Sequence, residues 1–206
     1  MARKKFQNPQ ISTGSGKYPP ASEIWHAKKT VAHARGLLGQ HLVRRWPDGR
    51  IEARMITEVE AYDGERDLAC HAAKGRTART EILYGAAGHW YVYLCYGMHE
   101  MLNLVVGPSD WPAAVLIRGV EGVVGPGRLT KALGIDRRLN ARAVRPETGL
   151  WIEDRRTPES NRRIGATPRI GVDYAGKIWA AKRWRFILLP PKAAGKRPGS
   201  RRRSRS

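Results

Sequence analysis

A chain of 206 residues in which 41% are hydrophobic can bury one substantial core, with room left over for tails. Its 38 Lys and Arg against 18 Asp and Glu give a formal charge of +20, a field that draws polyanions, nucleic acid first among them. No apolar run reaches the roughly 20 residues of a membrane span, and the basic start MARKKFQNPQ leads into Ser, Gly and Pro instead of an apolar export signal, so neither insertion nor secretion is expected.

Charge by itself does not separate an enzyme from a passive or ribosome-associated binder. The two cysteines, Cys70 and Cys95, lie far apart without neighbours at metal-ligand spacing, and read as free thiols of an intracellular protein. An intracellular location is expected, cytoplasm or nucleoid in a bacterium and nucleus in a eukaryote. Residues 1–20 read as a flexible basic arm. The tail from Pro190 carries seven cations and no acid and is expected to be disordered, yet the chain stays strongly basic without it.

Between the tails, the helical spacing of Ile24, Trp25, Val31, Ala34, Leu37 and Leu38 predicts a helix over 22–38, closed by Gly39. Strands at 41–45 and 51–62 flank the turn Pro47-Asp48-Gly49 and make a hairpin. A loop rich in Gly and Arg follows. Alternation predicts a strand over 89–96, and strand-like runs cover 101–106 and 113–120. A short helix is expected over 128–133, after Gly125-Pro126-Gly127; a lone GxG without a βαβ context carries no weight as a dinucleotide site. Further strands are expected at 150–153, 169–172 and 184–189. The sum is an α+β domain over 21–189, mainly antiparallel sheet with flanking helices.

Chemistry-bearing residues stand out in four places. In Thr57-Glu58-Val59-Glu60-Ala61-Tyr62, strand alternation puts Glu58, Glu60 and Tyr62 on one face. A partly buried carboxylate there can act as a general base; an exposed acidic strand face is the plainer alternative. His71 lies in a loop with Lys74, Arg76 and Arg79, cations that suit phosphate contacts as well as they suit a solvated loop. Residues 90–96 hold four aromatics, with Tyr91, Tyr93 and Cys95 on one face and Trp90, Val92 and Leu94 on the other. Such rings build a core or offer platforms for bases, and Tyr96, before a Gly turn, can project as a wedge between base pairs. Asn103 and Arg118 are isolated polar residues in apolar strands. The Asn needs partners, and the Arg needs an anion from Glu58, Glu60 or a DNA phosphate.

Together these segments resemble the alkyladenine (3-methyladenine) DNA glycosylase family. The likeness runs over residues 31–189 through ARGLLGQHLVRR, ITEVEAYDGERDLACHAAKGRTART, GHWYVYLCYGMHEMLNLV, AAVLIRGVE, GPGRLTKALGI and PRIGVDYAGK followed by WRFIL, in one order. The resemblance implies a single α+β domain that inserts a Tyr into the minor groove of damaged duplex DNA, flips the lesion nucleotide, excises the base hydrolytically and leaves an abasic site, without metal or cofactor and as a monomer. Glu60 corresponds to the water-activating base. Arg118 and the carbonyl of Ile170 match groups that place the water. Tyr62, His71 and Tyr93 match the walls around the flipped base, with Ala69 and Leu116 at pocket-lining positions. Asn103 matches the residue that crowds the exocyclic amine of normal guanine. Tyr96 takes the intercalating position, with Met98 beside it on the DNA. Ala78, where a Pro is common, and Glu100, where an aromatic or His is more typical, depart from the pattern; Glu100 either repels phosphate or pairs with a nearby Arg. The competing reading is a binding protein on the same fold that has lost catalysis, against which the joint presence of Glu60, Tyr62, His71, Tyr93 and Asn103 argues.

Overall fold

In the computed structural model, which describes residues 25, 28–155 and 163–190, the long second strand is the spine of the molecule. The described residues form nine strands, β1 (His41–Arg45), β2 (Ile51–Asp63), β3 (Trp90–Cys95), β4 (His99–Val106), β5 (Ala113–Val120), β6 (Val123–Val124), β7 (Leu150–Glu153), β8 (Ile164–Thr167) and β9 (Arg185–Leu188), and three helices, α1 (Thr30–Leu37), α2 (Pro126–Ala132) and α3 (Gly176–Ala180). The sheet order is β3-β4-β5-β2-β1-β7, with β6 on β5, β9 on β2 and β8 on β9. Every pairing is antiparallel. The first half of β2 pairs with β1; the second half runs between β5 and β9, after a bulge at residues 56–59. The result is a single α+β domain.

Side-chain alternation divides this sheet into two faces. One face, with Val59, Ala61, Trp90, Val92, Leu102, Leu104, Val115 and Ile117, forms the main core with α1 and α2. Each fully buried aliphatic side chain there contributes about 1.5–3 kcal/mol. The opposite face carries a smaller cluster built on Tyr91, Val105, Ala114, Cys70 and Leu83. A third cluster joins Ala69 to Val172 and Ala175. Helices α1 and α2 therefore cover the first face, and the second is left for loops, α3 and a site.

Element boundaries follow local chemistry. The helix expected over 22–38 begins only at Thr30: Trp25 is buried in irregular chain, its carbonyl accepting from the Gly107 amide at 2.6 Å, which docks the segment on the sheet instead of winding it. Its predicted end holds, with Gly39 at φ 82°. Helix α2 starts at Pro126, whose fixed φ and missing N–H suit a first helical position. The strand expected at 169–172 does not form. Pairing with β9 falls on 164–167, and Pro168, unable to donate to a ladder, ends it. The terminal segments read as a flexible arm (1–20) and a disordered tail (beyond 190) lie outside the described residues. Among the described residues, no helix is long and apolar enough to cross a membrane, and no cluster of three His, Cys, Asp or Glu is arranged to hold a metal.

Candidate active site

One row of cross-strand neighbours sets the centre of the site. Register pairs Tyr91 with Asn103, Asn103 with Leu116, and Leu116 with Glu60, so residues distant in sequence lie side by side on the second face of the sheet. Two residues further along their strands, Tyr93, Arg118 and Tyr62 share that face. Above it lies a cavity of about 460 Å³, lined by Tyr62, Ala69, His71, Arg79, Tyr93, Tyr96, Asn103, Leu116, Arg118 and Ile170 among others. Most of the residues singled out in the sequence thus converge on one hollow.

Glu60 is fully buried and does not itself line the hollow; the three residues that hold it, Tyr62, Arg118 and Ile170, do. Its carboxylate accepts the Tyr62 hydroxyl at 2.8 Å and Arg118 Nη1 at 3.3 Å on one oxygen, and the Ile170 amide at 2.8 Å on the other. Burial raises its pKa above the ordinary carboxylate value; Arg118, the Ile170 amide and the Tyr62 hydroxyl oppose that shift, and Glu58 adds to it. The group is thereby a stronger base than a surface carboxylate, fixed in position by three donors. The carbonyl of Ile170 is the group matched to water placement in the sequence; the amide of the same residue holds Glu60.

Glu58, its neighbour on the same face, is engaged elsewhere. It accepts Arg118 Nε at 2.9 Å and Arg185 Nε at 2.7 Å. Arg118 therefore finds its anions in both glutamates. The two carboxylates differ in surroundings: Glu58 is spanned by two guanidiniums, whereas Glu60 has one and is held by three residues that all line the cavity.

The aromatic walls are tightly organised. His71 meets Tyr93 at a ring separation of 4.6 Å, and its Nδ1 lies 2.9 Å from the Tyr91 hydroxyl. Burial, with Arg79 and Lys74 nearby, pushes the His71 pKa down to about 4, so the ring is neutral at physiological pH. Arg79 lies over the Tyr93 ring at 4.9 Å. Asn103 donates both amide hydrogens to the main chain, at Tyr91 O (3.2 Å) and Met101 O (3.3 Å), so its side chain is held in place at the cavity wall. Cys70 borders the cavity, and burial pushes its thiol up to about 12, which keeps that residue protonated.

At the mouth, the β3–β4 hairpin turns through Tyr96 (φ 51°) and Gly97 (φ 69°). A left-handed conformation at a non-glycine residue is a strained choice. Here it leaves the Tyr96 side chain 87% exposed, with Met98 72% exposed beside it. Helix α2 supports the base of the hairpin: a Cβ on Gly127 would meet the His99 ring at 2.9 Å, and Thr130 donates to the carbonyl of Glu100. Glu100 accepts Arg137 Nε at 3.2 Å, the pairing alternative of the two weighed for it. Arg76 is not drawn to the cavity. It pairs with Asp110 at 2.6 Å and stacks on Tyr84. Ala78 is exposed in the same loop.

Three features escaped the sequence reading: the Tyr91 hydroxyl that holds His71, Tyr174 on the cavity rim, and a buried ion pair between Arg169 and Asp67. For Tyr91 the strand alternation was a usable signal. Asp67 and Arg169 are 102 residues apart, and only the fold joins them.

Comparison with known proteins decides what this hollow belongs to. The model of the family described as methylpurine-DNA glycosylase (MPG) matches residues 24–124 and 122–190. This chain belongs to the methylpurine-DNA glycosylase family. Relatives named for 3-methyladenine DNA glycosylase activity include one from Myxococcus xanthus, 44% identical over 197 residues, with 88% of this chain and 96% of the relative covered. Another, from Methanocella arvoryzae, is 43% identical over 188 residues, covering 82% and 92% respectively. A third, from Legionella pneumophila, is 42% identical over 173 residues, covering 80% and 91%. As a family member the chain is a DNA glycosylase, an N-glycosyl hydrolase of base excision repair that acts on DNA.

Proposed function

We propose that this glycosylase is monofunctional, flips a damaged purine out of duplex DNA, and hydrolyses its N-glycosidic bond to leave an abasic site. Alkylated purines such as 3-methyladenine are its first substrate class, and deaminated purines such as hypoxanthine the second. The observation that carries the reading is a fully buried carboxylate, Glu60, held by three donors that line a cavity walled by Tyr62, His71 and Tyr93.

Tyr96 enters the stack from the minor groove and fills the gap left by the flipped nucleotide. Flipping costs a few kcal/mol, least for a weakly paired damaged base, and each base–aromatic contact in the cavity returns about 1–3 kcal/mol. Alkylation at purine N3 or N7 makes the base cationic, a good leaving group that departs neutral with the electrons of the C1′–N bond. Glu60 takes a proton from water as the water oxygen bonds to C1′, and Arg118 and Ile170 fix the geometry. A neutral His71 stacks on such a base without charge repulsion. Among the described residues lining the cavity none is a lysine, so no amine is placed to attack C1′. That supports hydrolysis over strand cleavage through an imine. Asn103, immobilised by main-chain carbonyls, crowds the exocyclic amine of guanine. Arg79 and Met98 border the same mouth and face the DNA backbone and stack.

The test is single-turnover incubation with duplexes bearing 3-methyladenine, 7-methylguanine, hypoxanthine or ethenoadenine. Free base and an alkali-labile abasic site, without enzymatic strand cleavage, are expected from at least the alkylated duplexes. Binding without base release from any lesion would contradict the proposal.

A further inference from the structure

The ion pair between Arg169 and Asp67 is the most completely buried in the described structure, with both side chains wholly shielded from solvent. Arg169 forks onto the carboxylate, with Nη2 at 2.8 Å from Oδ1, and Nη1 also donates to the Ala61 carbonyl at 2.8 Å. Its guanidinium lies between the Tyr62 ring (4.8 Å) and the Trp184 ring (5.2 Å). Asp67 in turn accepts the Asp63 and Ala69 amides, each at 3.1 Å. These partners are adjacent in sequence to the working parts of the site. Ala61 lies between Glu60 and Tyr62, Ala69 lines the cavity, and residue 170 follows Arg169 and donates its amide to Glu60 at 2.8 Å.

Burial of such a pair is weak evidence of a stabilising role. Desolvating two charges costs about as much as their attraction returns, and apolar replacements are often as stable. Arg169 Nε is moreover buried without an acceptor, which a device selected for stability would avoid. What the pair does supply is fixed geometry at two points of the site at once.

We infer that Arg169 and Asp67 are a positioning pair for base hydrolysis, holding the residue-170 amide against Glu60 while backing the Tyr62 wall. The inference rests on the proposed hydrolytic role of Glu60. The charged and titratable groups around Glu60 are Tyr62 and Glu58 on β2, Arg118 on β5, Arg185 on β9, and Arg169 itself. If the 169–170 segment loosens, Glu60 loses one donor to its ionised form. Its acid limb must then rise, because protonation silences a general base as pH falls through its pKa.

The experiment measures single-turnover excision against pH at saturating enzyme, using a hypoxanthine duplex, or 7-methylguanine if hypoxanthine is not released. Wild type is compared with Arg169→Lys, which keeps the charge but not the fork, and with the double variant Asp67→Asn/Arg169→Gln, which leaves no unpaired buried charge. Leu42→Ala, which hollows the main core at β1, serves as a remote destabilised control. Both site variants should lose on the order of 10²-fold in rate at neutral pH, with the acid limb about one pH unit higher. Their affinity for a duplex with a tetrahydrofuran abasic analogue should stay within about twofold, a bound set by the absence of a base to stack. Leu42→Ala should keep the wild-type limb. Folded site variants with an unmoved limb and a rate no lower than Leu42→Ala would overturn the inference alone. So would failure of both to fold where Leu42→Ala folds, since the pair would then be structural. A wild type without base release would overturn the proposed function and this inference with it.

Discussion

His71 illustrates how one residue acquires its role from its surroundings. In solution an imidazole titrates at about 6.5; here burial, Arg79 and Lys74 push it down to about 4. The folded state thus binds fewer protons than the unfolded chain between those values, so this residue removes stability as pH falls from about 6.5 toward 4 and has no such effect above. An NMR titration of the His71 ring should show a midpoint near 4; one near 6.5 would mean the ring is solvated and not a cavity wall. At this scale the sequence was informative where function and strand alternation coincide. Glu60 and Tyr62, two residues apart, had to share a face, and Asn103 and Arg118 were conspicuous as polar residues in apolar strands. Arg169 and Asp67 were not legible, because neither local spacing nor composition indicates that residues 102 apart will form a buried pair.

At the scale of elements, the β3–β4 hairpin and the segment after β8 carry the site in opposite ways. The hairpin is rigid sheet with a strained tip, anchored by α2 through Gly127 and Thr130. Tyr96→Ser should therefore leave the hairpin intact and remove only the projecting ring. Slower duplex excision and weaker lesion binding are expected, with excision from single-stranded substrate much less affected; unchanged duplex excision would show that Tyr96 is no wedge. The 169–172 segment read as a strand from its sequence and is irregular in the structure. Pro168 stops the ladder, which frees the Ile170 amide for Glu60. The strands over 41–45, 113–120 and 150–153 were legible to the residue, because each is bounded by turn residues and faces a buried layer. Helix α1 was overextended because its apolar spacing continues into Trp25, which packs on the core without being helical.

For the molecule as a whole, charge and cavity do separate work. A formal charge of +20 supplies attraction to any duplex, whereas in the proposed function selection of a lesion falls to the cavity. The seven cations beyond Pro190 should add non-specific affinity only. Each phosphate they neutralise contributes about −0.9 to the slope of log K against log salt. Truncation after Leu189 should flatten that slope and leave single-turnover excision at saturating enzyme nearly unchanged. A large fall in that rate would show that the tail takes part in the chemical step.

The central claim is that Glu60 is the base that activates water. Glu60→Gln keeps shape and hydrogen-bonding reach while removing the base, and a positioned general base contributes about 10²–10⁴-fold. Glu58→Gln is the internal control, since Glu58 is taken up by Arg118 and Arg185, of which Arg185 does not line the cavity. The decisive measurement is single-turnover release of a neutral base, hypoxanthine, by wild type and the two variants at saturating enzyme. The account predicts a loss of at least about 10²-fold for Glu60→Gln, lesion binding kept, a smaller loss on 7-methylguanine, and little change for Glu58→Gln. An active Glu60→Gln beside a dead Glu58→Gln would contradict it.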